Sequence, residues 1–328
     1  MAYDGDDLKG GAISTLGVRK ESTYGTRDGG GTTVKIGDEA SATFHRANIS
    51  PGVGGIRAKR QVRRYYEIGS YYDGEISDID LLDVLPLYAA LGKISTTGPI
   101  GAVYTHTVSP AGDDGTSAYL PSYTLEGQYV STTPTSVELL GMVVRTLNLR
   151  VDIADPLVKA TISYISKSLS TTISAPAEKT DIPYNIVHAT LKIDDDAAVY
   201  SSGVEIKDIK SFNFSYDNAL PDATSIMEWT TGLIRQPFPE TLRDNITGTI
   251  IRRYVDDDVA DLIGNTEFSM MLELVRTADE DEIKIQMDHC LCGDLTRPMG
   301  RDTGLEDTDL TIKIGDVEIV SKDDKSAY

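Results

Sequence analysis

The chain has 328 residues and a formal net charge of −20, from 51 acidic and 31 basic residues. A negative net charge argues against a protein that binds nucleic acid through the electrostatic potential of its whole surface. The 40% hydrophobic share argues against disorder, and the length allows two domains that each bury a core. Seventeen Tyr against five Phe and one Trp favour amphipathic surfaces such as subunit contacts.

Polar, glycine-rich sequence fills the start of the chain and predicts a flexible N-terminal arm over residues 1–40. The first seven residues are acidic and lack the apolar core of a signal peptide. No segment approaches the ~20 apolar residues that a membrane-spanning helix needs. We therefore expect a protein that is made and kept in a cytoplasm until it assembles, with no membrane partner.

A basic segment over residues 57–64 runs against the acidic balance of the chain. It has three interpretations: a solvated hairpin loop, a nucleic-acid patch, or a docking loop that meets the acidic surface of another copy. We favour the docking loop, because complementary patches on one chain build head-to-tail contacts between copies. Its basic side chains are Arg57, Lys59, Arg60, Arg63 and Arg64.

One sequence pattern occurs twice, over residues 71–92 and 245–264. Each copy predicts a strand that carries a glycine, followed by a short helix with an acidic first turn and a glycine at its end. An aromatic-marked strand precedes each copy. The repeat therefore predicts one domain fused to a diverged copy of itself, which favours assembly over catalysis. The residues that mark the repeat are Gly74 and Asp83 in the first copy, and Gly248 and Asp257 in the second.

Alternating apolar and polar residues predict strands through most of the remaining sequence. A Ser/Thr-rich run that ends in proline predicts a linker over residues 166–180. The first β domain then spans residues 41–165, and the second spans residues 181–328. We predict an all-β fold of two tandem β-barrel or sandwich domains, each with one short flanking helix.

The loop over residues 218–242 corresponds in the second half to the basic segment in the first. It is long, and an isolated exposed loop would not tolerate its apolar side chains well. We therefore predict that it contacts a neighbouring subunit. The residues expected at this contact are Met227, Trp229, Leu233 and Phe238.

The search for catalytic or metal-binding motifs finds none. Cys290 and Cys292 are too close for an unstrained disulfide and too few for a structural zinc site, so we expect reduced strand residues. The four histidines have no metal-motif spacing, and the aspartate triplets at residues 194–196 and 256–258 lack the calcium-loop pattern. No nucleophile elbow, Walker loop or dinucleotide fingerprint is present. We predict no enzyme activity, no cofactor and no metal.

Several segments, taken in order, resemble the major tail tube proteins of long-tailed double-stranded DNA viruses of bacteria or archaea. Residues 17–26 (GVRKESTYGT) are similar to the opening of that family's chains. The strand with Phe44, the strand over residues 73–76 and the Leu-rich helix that ends at Gly92 then follow in the family's order. Residues 105–108, 120–127 and 141–149 complete the resemblance, which covers residues 10–170.

The resemblance implies a structural virion protein that is assembled in the host cytoplasm and polymerises as stacked rings into a hollow tail tube. Viral DNA would pass through the channel without specific binding, past a wall that repels phosphates. The other expected partners are further copies of the chain and the tail terminator, tape measure and baseplate proteins. Because such tubes usually have six single-domain subunits per ring, two domains per chain predict a trimer with pseudo-sixfold symmetry, and otherwise a hexamer.

Two alternatives stay open. A baseplate, fibre or decoration protein of the same virus type would share the β-rich architecture. A carbohydrate-binding β module or a polysaccharide hydrolase would need a cleft with stacking aromatic residues, against which a single Trp counts.

Overall fold

The structure is a computed structural model, and it confirms the predicted all-β fold class. Within the described residues there is one α-helix. The described residues are 13–29, 33–37, 40–49, 52–53, 64–65, 69–112, 119–129, 135–170, 181–194, 200, 203–206, 209–228, 230–239, 246–252, 266–276, 281–296 and 308–328.

The described elements divide into two groups along the chain. The first comprises β1 (Ile13–Lys20), β2 (Val34–Lys35), β3 (Ser41–Ile49), β4 (Gly52–Val53), β5 (Arg64–Tyr65), β6 (Gly69–Asp80), α1 (Leu85–Leu91), β7 (Gly92–Ile100), β8 (Val103–Pro110), β9 (Tyr123–Tyr129), β10 (Thr135–Asp152), β11 (Asp155–Ser166) and β12 (Ser168–Ser170). The second comprises a short 3-10 helix (Ile186–His188), β13 (Ala189–Asp194), β14 (Val204–Glu205), β15 (Ile209–Asp217), β16 (Ile246–Arg252), β17 (Phe268–Arg276), β18 (Asp281–Thr296), β19 (Thr308–Lys313) and β20 (Asp316–Asp323).

Three antiparallel sheets contain all these strands except the β4–β5 hairpin. The long sheet has eight strands in the order β3–β6–β11–β10–β15–β16–β19–β18. The N-terminal small sheet has the order β2–β1–β9–β10–β12. The C-terminal small sheet has the order β14–β13–β17–β18–β20–β8–β7. The pairings among the described strands never return to their start, so these sheets are open.

Two long strands each belong to two sheets, because each bends part-way along its length. β10 passes from the N-terminal small sheet into the long sheet, and β18 passes from the C-terminal small sheet into the long sheet. The bends lie at Gly141 (φ 69°) and His289 (φ 52°), both in the left-handed region. One face of the long sheet is thereby covered by the two small sheets, and a single apolar core joins all three.

Seven strand pairings occur twice, once in each half of the chain. Every pairing of the first set has a counterpart in the second set with the same place in the order. The first set is β1–β2, β1–β9, β9–β10, β10–β12, β10–β11, β11–β6 and β6–β3, and the second is β13–β14, β13–β17, β17–β18, β18–β20, β18–β19, β19–β16 and β16–β15.

The first copy of the repeated block folds as a glycine-bearing strand followed by a helix. Gly74 lies in β6, and α1 ends at Leu91 and is followed by Gly92, whose left-handed φ of 99° is typical of a C-cap. The predicted acidic first turn is wrong for this copy, because the aspartates precede the helix. Asp83 instead accepts a hydrogen bond from the Leu85 N–H at 3.0 Å. Gly248 lies in β16, whereas the second predicted helix and Asp257 lie outside the described residues.

Two segments that we predicted to be an arm and a linker contain paired strands. The predicted flexible arm contains β1, which pairs with β9 along its length and buries Leu16 and Val18. The predicted linker begins with the buried Ser166 and includes β12, which pairs with β10. A high glycine or serine content therefore did not indicate a loop at β1 or at β12. Residues 1–12 and 171–180 lie outside the described residues.

Candidate assembly interface

The two halves of the chain meet edge to edge in the long sheet. The C-terminal part of β10 pairs with β15 over seven residue pairs, from Thr146 opposite Asp217 to Asp152 opposite Ser211. On the core side, Leu149 lies opposite Phe214, and both side chains are fully buried. The last long-sheet strand of the first half thus pairs with the first strand of the second half, which is a head-to-tail arrangement.

The uncovered face of the long sheet carries mainly short hydroxyl and amide side chains in its middle. These residues lie opposite one another across the strands, and the Thr146 and Ser163 hydroxyls are 2.5 Å apart. Charged side chains toward one end of the strands pair with each other, with 2.6 Å from Arg150 to Asp152 and 3.5 Å from Lys159 to Asp155. Two charged residues, Glu75 and Lys313, lie in the same rows, opposite Ser163 and Thr247. The neutral residues in the middle of the face are Thr146, Asn148, Thr161, Ser163, Asn213, Ser215, Thr247, Thr249 and Thr311.

The loop that follows β15 lies across the first half of the same chain. The Asn218 side chain donates hydrogen bonds to the carbonyl oxygens of Ala90 (2.8 Å) and Val144 (3.1 Å). The Gly232 carbonyl accepts one from the Ser70 N–H at 3.2 Å. Ile234 is buried in an apolar cluster with first-half residues, among them Leu120, Val143 and Ile165. Much of the loop's apolar surface therefore has an intramolecular role.

The four residues that we assigned to a neighbouring-subunit contact are not equivalent. Met227 and Leu233 are partly buried within the chain, and Met227 forms a β-bridge with Ile234. Phe238 is exposed and stacks edge to face with the exposed Tyr119, with 6.2 Å between ring centroids. Trp229 lies outside the described residues.

Hydrogen-bonded ion pairs of Lys325 with Asp83 and Asp181, here called the polar strap, also link the two halves of the chain. Lys325 donates hydrogen bonds to Asp83 at 2.9 Å and to Asp181 at 2.8 Å. Burial alone would lower the pKa of Lys325, but the charges and hydrogen bonds of the two aspartates outweigh it and raise the pKa. Asp83, which we singled out as a marker of the repeat, thus serves as an anchor for the end of the second half.

The outer strands of the long sheet are β3 and the C-terminal part of β18. In the described part of the chain, β3 pairs with β6 alone, and residues 291–296 of β18 pair with β19 alone. Phe44 in β3 lies opposite Gly74 and is 40% exposed, although it points to the side of the sheet that elsewhere forms the core. Unpaired strand edges with an exposed apolar side chain are ready templates for another chain.

The histidine and cysteine side chains, which could in principle act in catalysis or bind a metal, lie far apart and make local contacts. His106 is buried between Thr96 (2.9 Å) and Asp323 (3.1 Å), and His188 accepts from the Asn185 N–H. Cys290 and Cys292 are not in a disulfide, and burial raises the pKa of the Cys290 thiol to about 12. The described residues include no group of three or more potential ligands that could hold a metal ion. They also contain no helix long and apolar enough to cross a membrane.

The predicted docking loop is described only at its base. Arg64 lies in β5, which pairs with β4 in a short hairpin. Arg57, Lys59, Arg60 and Arg63 lie outside the described residues.

Comparison with known protein families decides between the classes left open by the sequence. Residues 11–313 of the chain match the family described as phage tail tube protein. The chain belongs to the phage tail tube protein family. No curated protein matches it. This tail tube protein is therefore a structural component of a phage tail, as the order of its short motifs indicated.

The match extends well beyond the resemblance that we found over residues 10–170, and it includes most of the second half. Sequence reasoning did not identify which strands lie at the edges of the long sheet. The alternation of β3 and β18 indicates strands, but it does not say which strands lie at an edge. The sequence did contain one indication of these edges. Phe44 and Phe214 each lie in the aromatic-marked strand that precedes a copy of the repeat, which places β3 and β15 at equivalent positions in the two halves.

Proposed function

We propose that this tail tube protein polymerises as stacked rings into a hollow tube, and that viral DNA passes through this tube into the host. The proposal rests on the two sets of seven strand pairings, joined head to tail, in a chain of this family. A unit that joins its own copy within one chain by a head-to-tail contact can join further copies in the same way. Such contacts build a closed ring when the rotation between units closes.

We further propose that the chain carries two tube-like domains and that three chains form a ring with pseudo-sixfold symmetry. Three chains would contribute three times eight strands to one continuous wall. With about 4.8 Å between neighbouring strands, the wall would be at least about 115 Å around and about 37 Å across between backbones, and the tilt of strands in a closed wall increases both dimensions. Six full chains would double this diameter. The smaller ring is the one in which a single DNA duplex stays close to the wall.

The uncovered face of the long sheet is the surface that we assign to the channel, because the two small sheets occupy its other face. Its middle rows are mainly hydroxyl and amide side chains, and two ion pairs lie toward one end of the strands. Phosphate groups bind strongly to unpaired Lys and Arg, with release of counterions. Short neutral side chains offer no such binding, and the charges among them have both signs, with Glu75 opposite Ser163 and Lys313 opposite Thr247. DNA would therefore slide past this face without specific contacts.

Contacts between rings are assigned to the basic segment and to the exposed side of the second-half loop. Arg57, Lys59, Arg60, Arg63 and Arg64 would meet an acidic surface of a neighbouring copy, in a chain with a net charge of −20. Phe238, an exposed apolar residue in the described part of this loop, would pack at the same contact between rings. The tube would be assembled in the host cytoplasm with the tail terminator, tape measure and baseplate proteins. It would need no cofactor and catalyse no reaction.

Electron microscopy of the purified protein in negative stain, across a concentration series, tests the proposal. Hollow tubes of uniform diameter that lengthen with concentration are the expected result. A monodisperse monomer at every salt concentration and pH would contradict it. Closed discs that never stack would instead favour the baseplate alternative.

A further inference from the structure

The β10–β15 junction is a template for contact between separate chains, because both of its strands have counterparts at the outer edges of the long sheet. β15 corresponds to β3, since Phe214 lies opposite Gly248 and Phe44 lies opposite Gly74. The counterpart of an internal, paired strand is therefore an edge strand.

β10 corresponds in the same way to β18. Each strand has its positive-φ bend, at Gly141 and at His289, and three residues later a shift in register interrupts the long-sheet pairing. The shift falls between Val144 and Thr146 in β10, and between Cys292 and Asp294 in β18. Thr146 and Asp294 are thus equivalent positions. In β10, Thr146 begins the pairing with β15.

We infer that the C-terminal part of β18 pairs antiparallel with β3 of a second copy, in the register of the internal junction. Asp294 then lies opposite Ala47 of the second copy, and Thr296 lies opposite His45. This inference rests on the proposed function, which supplies the ring, and adds to it the strands and the register that close the ring.

The different burial of two equivalent phenylalanines supports the same partner. Phe214 is fully buried, with Leu149 of β10 opposite it, whereas Phe44 is 40% exposed. Beside Phe44 lies an open apolar cleft lined by Leu16, Leu125 and Tyr164. In this register β18 of the second copy reaches His45, the residue next to Phe44, and a strand added at this edge would reduce the exposure of Phe44. Among the described strands, β18 corresponds to β10, and its residues 291–296 pair with β19 alone, so a second copy would supply the matching strand.

Disulfide cross-linking tests the register. The variant Ala47→Cys/Asp294→Cys is assembled, oxidised and run on a denaturing gel with and without reductant. We expect covalent dimers and trimers that reductant returns to monomers. A head-to-tail ring of three chains would give no product larger than the trimer. The variant His45→Cys/Thr296→Cys probes the same register independently, should the first pair disturb folding.

The matched control is Arg46→Cys/Asp294→Cys, which carries the same number of cysteines. A shift of one residue places the two thiols on opposite faces of the strands. We expect cross-linking in this control to be at least about tenfold weaker, because the thiols cannot meet.

The outcomes separate this inference from the tube proposal. Tubes that form while both in-register pairs cross-link no better than the control would overturn the register and leave the tube proposal standing. Cross-linked rings that never elongate would support the register and contradict the tube. A protein that neither associates nor cross-links would contradict both.

Discussion

Gly141 and His289 occupy the same bend in the two halves of the chain, and both have a positive φ. At each bend a long strand leaves a small sheet and enters the long sheet. Glycine adopts this conformation without cost, whereas a residue with a Cβ loses about 1–2 kcal/mol. The second half thus makes the same bend with a less suitable residue. His289 has a local contact there, 3.1 Å from Glu267, at an exposed site.

The bend at His289 predicts an unusual order of stability for two variants. We expect His289→Gly to be more stable than His289→Ala by about 1 kcal/mol, because only glycine avoids the left-handed penalty. Both variants lose the contact with Glu267, so the comparison isolates the backbone. At an ordinary strand position the order is reversed. Urea denaturation of the dissociated protein measures the difference, and an alanine variant at least as stable as the glycine variant would contradict it.

The two glycines that mark the repeat are predicted to differ sharply in their tolerance of alanine. A Cβ on Gly74 would lie 2.0 Å from the Thr43 carbonyl oxygen, whereas the nearest atom to a Cβ on Gly248 is 3.5 Å away, on Ile314. We therefore expect Gly74→Ala to lower the free energy of unfolding by roughly 2–3 kcal/mol. Gly248→Ala should change it by less than about 1 kcal/mol and serves as the control. Equal losses from both variants would show that the close approach at Gly74 is unimportant.

Lys325→Met is expected to destabilise the fold by about 2–3 kcal/mol, because it removes the Lys325 ammonium group from its ion pair with the buried Asp83 carboxylate. The matched control is Lys322→Met, which breaks the more exposed pair of Lys322 with Glu282. We expect that change to cost at most about 1 kcal/mol. Thermal and urea unfolding of both variants provide the measurement, and equal effects would argue against the strap.

The contribution of Lys325 also has a defined pH dependence. The folded-state pKa of Lys325 is raised, so its stabilising effect is complete below the unfolded pKa of about 10.4. The effect is lost as pH rises through the folded-state pKa. The stability difference between the wild type and Lys325→Met should therefore be constant from pH 7 to about pH 10 and shrink only at higher pH. A difference that disappears already near pH 8 would be inconsistent with this pairing.

Reversal of the basic segment is predicted to block stacking and leave the fold intact. The variant Arg60→Glu/Arg63→Glu/Arg64→Glu places like charges against an acidic neighbour, which should cost several kcal/mol at the contact. The control Arg60→Lys/Arg63→Lys/Arg64→Lys keeps the charge and should still polymerise. Sedimentation and circular dichroism follow assembly and fold. Normal tubes from the reversed variant would remove the segment from the interface.

Local features of this fold could be read from the sequence, but the partners of the strands could not. The strand that contains Gly74 and the helix that is capped by Gly92 can both be predicted from the local sequence, because the apolar periodicity and the capping glycine are local signals. Alternation in β10 reports which face is buried, yet it does not name the neighbouring strand, which here is β15 of the other half. The β8–β20 pairing is equally non-local.

Predictions from composition failed where contacts between distant parts of the chain determine the local structure. β1 lies in a glycine-rich stretch, but Leu16 and Val18 alternate on one face and pack into the core. That short alternation was the available signal. The loop after β15 was expected to have no partner within the chain, because nothing in its sequence indicates that Ile234 packs on the first half.

A reconstruction of the assembled tube by electron cryomicroscopy tests the central claim most directly. Our account predicts three chains per ring, six similar sheet units around the channel, and β18 of each chain beside β3 of the next. Six full-length chains per ring, or a wall in which β3 and β18 face solvent, would contradict it.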